Sequence, residues 1–162
     1  MSDVDVLYHD DTYVLATAGR LMVTCYWDAP NVHQIEKITE FGVPWDAAHD
    51  NKTAFAQFIV DGTPRFSTEV RDAAAAIGKS RIFRLGTANV VEVGGLRGSA
   101  TRAFLSTVTL LSGKKYRSRN KVYADPSEAA TWLAEILDAA DPGAWSTERV
   151  EAVREVVLGG RG

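Results

Sequence analysis

Few groupings in this chain have the residue types and spacing for chemistry, and each also has a plainer structural reading. His9, His33 and His49 lie in different segments without the spacing of metal ligands. His9-Asp10-Asp11 reads as a polar start to a hairpin rather than a metal site. Asp46 and His49 would share one face of a short helix, enough for a hydrogen bond but short of nucleophilic catalysis. No serine has the setting of a nucleophile elbow. Cys25, between Thr24 and Tyr26 in an apolar strand-like run, reads as a small buried hydrophobe. The expectation is a non-enzyme with no catalytic residues, no metal and no cofactor; a site assembled only by folding is the rival.

Three surfaces remain as candidates for binding. In Gly94-Gly95-Leu96-Arg97-Gly98-Ser99, between a strand and a helix, the backbone amides of Gly94, Gly95, Gly98 and Ser99 with the Arg97 guanidinium could hold an anion or a partner. It matches neither the phosphate loop nor the dinucleotide fingerprint, and its glycines serve equally as a tight connection. The second is a stripe of Lys115, Arg117, Arg119 and Lys121, which at the two-residue period of a strand puts four positive charges on one face. Such a strand suits an edge guarded against intermolecular pairing, or a surface for an acidic protein, a phosphate or a membrane headgroup. Nucleic acid is not the expected partner, because no aromatic ladder accompanies the charges. The third is a groove at the two ends of the first helix, bracketed by Trp27 and Trp45.

These candidates must be held by elements legible in the apolar pattern. Tyr13–Thr17 and Leu21–Tyr26 read as two strands turning at Gly19. A helix follows, capped by Asp28 or Asn31 and ended by Phe41-Gly42 and Pro44. Thr53–Val60 is almost continuously apolar, as an interior parallel strand covered on both faces would be. Ser67 caps a helix to Ile77; Ala88–Val93 is a strand; a helix carries Ala100, Phe104, Val108 and Leu111; Arg119–Ala124 is the next strand. Asp125-Pro126-Ser127-Glu128 is the strongest local signal, an acidic cap with proline at the first helical position. A last helix spans about 147–158 behind a Ser146 cap, with Trp145 placed to pack on Val150. Strands alternating with helices predict an α/β fold: one mixed sheet with helices mainly on one face, plus the added C-terminal helix.

Composition agrees with a single domain over residues 1–162. The chain is 46% hydrophobic and 24% charged, with a formal net charge of -3 that gives no overall attraction to nucleic acid. Its one cysteine excludes an internal disulfide framework. The longest apolar runs fall well short of the roughly 20 residues that span a bilayer. Met1-Ser2-Asp3-Val4-Asp5 carries no basic start before an apolar run, so a cytoplasmic protein without a leader is expected. The sequence does not distinguish a monomer from a dimer.

The segment from Lys121 to Leu133, a strand passing into a capped helix with a Trp-Leu pair, resembles the closing part of small bacterial STAS-like or SEC14-like domains. Phe58-Ile59-Val60-Asp61, followed by Phe66-Ser67-Thr68, resembles the strand-loop-helix of the same superfamily. The likeness covers about residues 5–139. It implies a STAS-like regulatory or scaffold domain that recognises another protein. In the anti-sigma-factor antagonists of that superfamily a serine in this loop is phosphorylated, which would place the modification at Ser67 or Thr68. The family pattern usually has a second serine and a glycine after it; here the residue following Ser67 and Thr68 is Glu69, the glycine is missing, and the Glu69 charge would oppose a phosphate. The alternatives are Ser67 as an ordinary helix cap, and a module that binds a small molecule or anion.

Overall fold

The protein's structure, a computed structural model, describes residues 3–62, 67–111 and 119–160. Six strands form one sheet in sequential order: β1 (Asp5–Asp10), β2 (Tyr13–Ala18), β3 (Leu21–Tyr26), β4 (Ala54–Ile59), β5 (Gly86–Val91) and β6 (Asn120–Tyr123). The first three are antiparallel neighbours, and β3 through β6 are parallel. Among the described residues five helices accompany them: α1 (Val32–Ala48), α2 (Thr68–Lys79), α3 (Gly95–Leu111), α4 (Pro126–Ala140) and α5 (Thr147–Gly159).

The order of strands dictates where the helices go. Each step from β3 to β4, β5 and β6 moves one place in the same direction, and parallel crossovers keep one hand, so α1, α2 and α3 all fall on one face. There Met22, Tyr26, Phe55 and Val91 pack against Ile35, Ile38, Val70, Ile77 and Leu105. The opposite face would stay wet without the last two helices. Instead Val23, Ala56, Phe58 and Val90 are closed over by Leu133 and Leu137 of α4 and Val150, Val153 and Val157 of α5. Helices thus divide three to two between the faces, which is why β4 is apolar at nearly every position: both of its sides are core.

Local signals explain most boundaries. Ser67 accepts a hydrogen bond from the Val70 amide at 3.2 Å, Asp125 from Ser127 at 2.9 Å and Ser146 from Arg149 at 3.2 Å, so three expected caps do cap. At the start of α1, Asn31 rather than Asp28 is the cap: it accepts from the Gln34 amide, and Gln34 Oε1 accepts from the Asn31 amide. Gln34 is itself buried, and its Nε2 reaches Asp10 Oδ2 and Thr12 Oγ1, each at 3.0 Å, tying α1 to the β1–β2 turn. Gly19 adopts a positive φ of 52° in the β2–β3 turn, and Trp145 lies so close that a Cβ there would come within 3.3 Å of its ring.

Three expectations need correcting. The opening hairpin has a third strand, β1, whose polar composition concealed it. Helix α1 does not stop at Gly42 but runs on through Pro44 to Ala48. Both Pro44 and Glu40, whose carbonyl loses its donor, are exposed, so the missing bond is not buried. Gly42 marks a close approach instead: a Cβ there would meet Ile82 at 3.1 Å. Last, α3 begins at Gly95, so Arg97, Gly98 and Ser99 are helical and not part of a connecting turn.

Candidate functional site

The carboxyl ends of the parallel strands gather the loops that precede α1, α2 and α3, the usual place for a site in an open α/β sheet. Arg97, at the start of α3, pairs with Asp61 after β4 at 3.4 Å and reaches the Gly62 carbonyl at 3.5 Å. Gly62 has φ of 127° and presses on the backbone of Asp28 and Ala29, where a Cβ would come within 2.7 Å. The segments after β3, β4 and β5 are thereby joined. Gly98 is needed for a different reason: a Cβ there would overlap the Val93 carbonyl oxygen, so the first turn of α3 can seat only on a glycine. Gly94 and Gly95 have no neighbour where a side chain would project, and Leu96 beside them is 90% exposed.

This geometry joins two of the candidates named from sequence. The β4–α2 segment with Ser67 and Thr68 and the glycine segment with Arg97 lie at the same rim, linked by the Asp61–Arg97 pair. Ser67 and Thr68 are exposed. The carboxylate of Asp61 against Arg97 offsets the charge an anion would need there.

The other candidates that the structure describes are not brought to this rim. Trp27 packs toward the face covered by α4 and α5, while Trp45 packs on the opposite face, with the Phe83 ring centroid 6.3 Å away. Among the described residues they line no common groove, because the two rings pack on opposite faces of the sheet. Lys115 and Arg117 lie outside the described residues. Arg119 donates to the Arg84 carbonyl at 2.6 Å, and Lys121 on the edge strand β6 sits 5.1 Å from the Trp132 ring centre.

Asp46 and His49 do not engage each other's side chains. The buried Asp46 carboxylate takes the Thr53 hydroxyl at 2.5 Å, and His49 Nδ1 lies 2.8 Å from the Trp45 carbonyl oxygen. Both contacts secure the turn from α1 into β4. Cys25 is fully buried, and desolvation pushes its thiol up to about 12. Among the described residues no grouping of three or more His, Cys, Asp or Glu could hold a metal, and no helix is long and apolar enough to cross a membrane.

Two polar features went unremarked in the sequence. Glu92, just past β5, pairs with Arg154 of α5, whose guanidinium also lies 5.2 Å from the Phe58 ring centre. Glu92 Oε2 and Arg154 Nε are buried without hydrogen-bond partners among the described residues. Desolvation raises the Glu92 carboxyl above its ordinary value, and Arg154 pulls it back only in part.

The second feature is a row of side chains crossing β3 to β6 beneath α1–α3. The Tyr26 hydroxyl donates to Gln57 Oε1 at 3.2 Å, Gln57 Nε2 to Asn89 Oδ1 at 2.8 Å, and Asn89 Nδ2 to Asn120 Oδ1. Burial pushes the Tyr26 hydroxyl well above its ordinary value, which keeps it a neutral donor. A polar residue near the middle of an otherwise apolar run was the available signal, once in each of β4 and β5. Comparison with known families, with curated proteins and with solved structures gives no match for this chain.

Proposed function

We propose that this chain is a cytoplasmic STAS-like regulatory module that acts without catalysis, binding another protein at the carboxyl rim of its parallel strands. The observation that carries this reading is the make-up of that rim. Leu96 projects almost fully into solvent beside two glycines with open surroundings, and the paired charges of Asp61 and Arg97 flank it. An apolar anchor with a polar surround is the pattern of a protein-binding centre. The resemblance of the β4–α2 segment to the superfamily's regulatory loop supports the same rim, and Ser67 and Thr68 stand there exposed to a kinase. A phosphate on either would add about -1.5 to -2 charges at the start of α2.

The test compares native-cytosol partners of the full chain with those of Leu96→Asp. An exposed position should leave the melting temperature unchanged. A protein retained by the wild type and lost by the variant bears the reading out; identical partner sets, or metabolite turnover by the purified chain, overturn it. Phosphatase treatment of protein from its own host should remove one phosphate mass from the peptide holding Ser67 and Thr68 if the switch operates.

A further inference from the structure

The amide row on the α1–α3 face has a cavity above it, and the two together form a site beneath the carboxyl rim, where Tyr26, Pro30 and Ile59 close its upper end. The cavity measures about 40 Å³, against roughly 10–15 Å³ for one water, so it has room for a molecule of three or four heavy atoms. Tyr26, Gln57, Asn89 and Asn120 supply its polar side, while Ile35, Ile77, Phe104, Leu105 and Val108 supply an apolar wall. Among the described residues no charged side chain lines it.

The row has unspent hydrogen-bonding capacity. Among the described residues Gln57 Nε2 gives one of its two hydrogens, to Asn89, and Asn120, half-buried, uses its oxygen but neither hydrogen of Nδ2. Thr87, opposite Asn120 in register and so on the same face, is fully buried, and its hydroxyl has no partner among the described residues. Gln57 and Asn120 are half-buried and line the cavity, so a ligand there can take these donors in place of water.

The geometry points to a binding site for a small neutral molecule bearing a primary amide or similar N–H/C=O pair. Its carbonyl would accept from Gln57 Nε2 and Asn120 Nδ2, its N–H would donate to the second lone pair of Asn120 Oδ1, and its short alkyl part would lie against the Phe104 and Ile77 side. A carboxylate of the same shape would lose its hydration with no cation among the described lining residues to replace it, so the site discriminates by charge as well as by size.

Acetamide is a probe of the right size, and acetate is its charged counterpart. With the full chain labelled in nitrogen-15, acetamide should give saturable shifts in the side-chain amide signals of Gln57 and Asn120, at the millimolar affinity expected of so few atoms. Acetate should give none at equal concentration and pH. Asn120→Leu, at the half-buried end of the row, should keep the backbone spectrum and abolish the Gln57 shift. Unmoved side-chain signals at the highest acetamide concentration, equal shifts with acetate, or an undiminished response in the variant would each overturn the assignment. If Asn120→Leu fails to fold, competition decides: N-methylacetamide should displace acetamide less well than propionamide, having lost one of the donor hydrogens, and equal displacement counts against the site.

Discussion

Asn89 Nδ2 donates to the backbone carbonyl of Lys121 at 3.3 Å, and this contact sets the direction of the whole amide row. With its NH2 group committed toward β6, Asn89 must offer its oxygen to Gln57, and Gln57 must in turn offer its own oxygen to Tyr26. Register between the parallel strands makes this possible, because Gln57 and Asn89 are direct neighbours in the β4–β5 pairing.

Substitution at Asn89 should therefore cost more than the loss of one side chain. Asn89→Leu removes the central link and should destabilise by about 1–3 kcal/mol, with the remaining amides unpaired. Asn89→Asp cannot donate to Lys121 and brings in a charge among Gln57, Asn120 and apolar side chains, which should cost about 3 kcal/mol or more. The introduced carboxyl would titrate above its usual range, so the second variant should recover stability as pH falls while the first should not. Urea unfolding of both variants against pH checks this; equal costs with no pH dependence would refute the row's role.

Cys25 should behave as a core residue. With its thiol raised to about 12, almost none is thiolate near neutral pH, and the side chain is fully buried. A thiol reagent such as dithionitrobenzoate should label native protein only as fast as it unfolds, and should label guanidinium-denatured protein at once. Prompt stoichiometric labelling of the native chain would show a different environment.

The neighbouring glycines before and within α3 should separate cleanly. Gly98→Ala puts a methyl group onto the Val93 carbonyl and should cost about 2 kcal/mol or more, since backbone rather than a flexible side chain must move. Gly94→Ala meets nothing within 4 Å and should change stability by no more than about 0.5 kcal/mol. Denaturation midpoints of the two variants decide whether Gly98 is the structural member of the segment.

Burial patterns and caps were the legible part of this fold. The continuous apolar run around Phe58 announced an interior strand, and Ser67, Asp125 and Ser146 announced their helices, because each is a local choice that needs no partner from afar. What could not be read depended on distant neighbours. β1 is too polar to signal a strand, yet it pairs with β2 from Asp5 to Asp10. Pro44 and Gly42 carry the marks of a helix end, and only the Ile82 contact and the exposure of Glu40 show why the helix continues. The rim was visible as two separate segments; that Asp61 meets Arg97 is a consequence of strand order. The amide row was harder still, since Gln57, Asn89 and Asn120 are unremarkable until register aligns them.

Glu92 and Arg154 join the sheet to the C-terminal helix, and their energetics should show in the pH dependence of stability. Burial raises the Glu92 carboxyl above 4.5, and Arg154 offsets this only partly. In the window between 4.5 and the raised native value, the folded protein keeps a proton that the unfolded chain has released, so stability contributed at this site falls as pH rises through that window. Urea unfolding of the wild type and Glu92→Gln across it should give curves whose difference narrows or reverses on the acid side, in favour of the wild type, and is constant at higher pH. Parallel curves would mean that the carboxyl titrates normally. Arg154→Met alone should cost about 2 kcal/mol by leaving Glu92 buried without its cation, whereas the double variant Glu92→Gln, Arg154→Met should recover most of that loss. A double variant no more stable than Arg154→Met would show that α5 is held by packing of the Arg154 stem rather than by the pair.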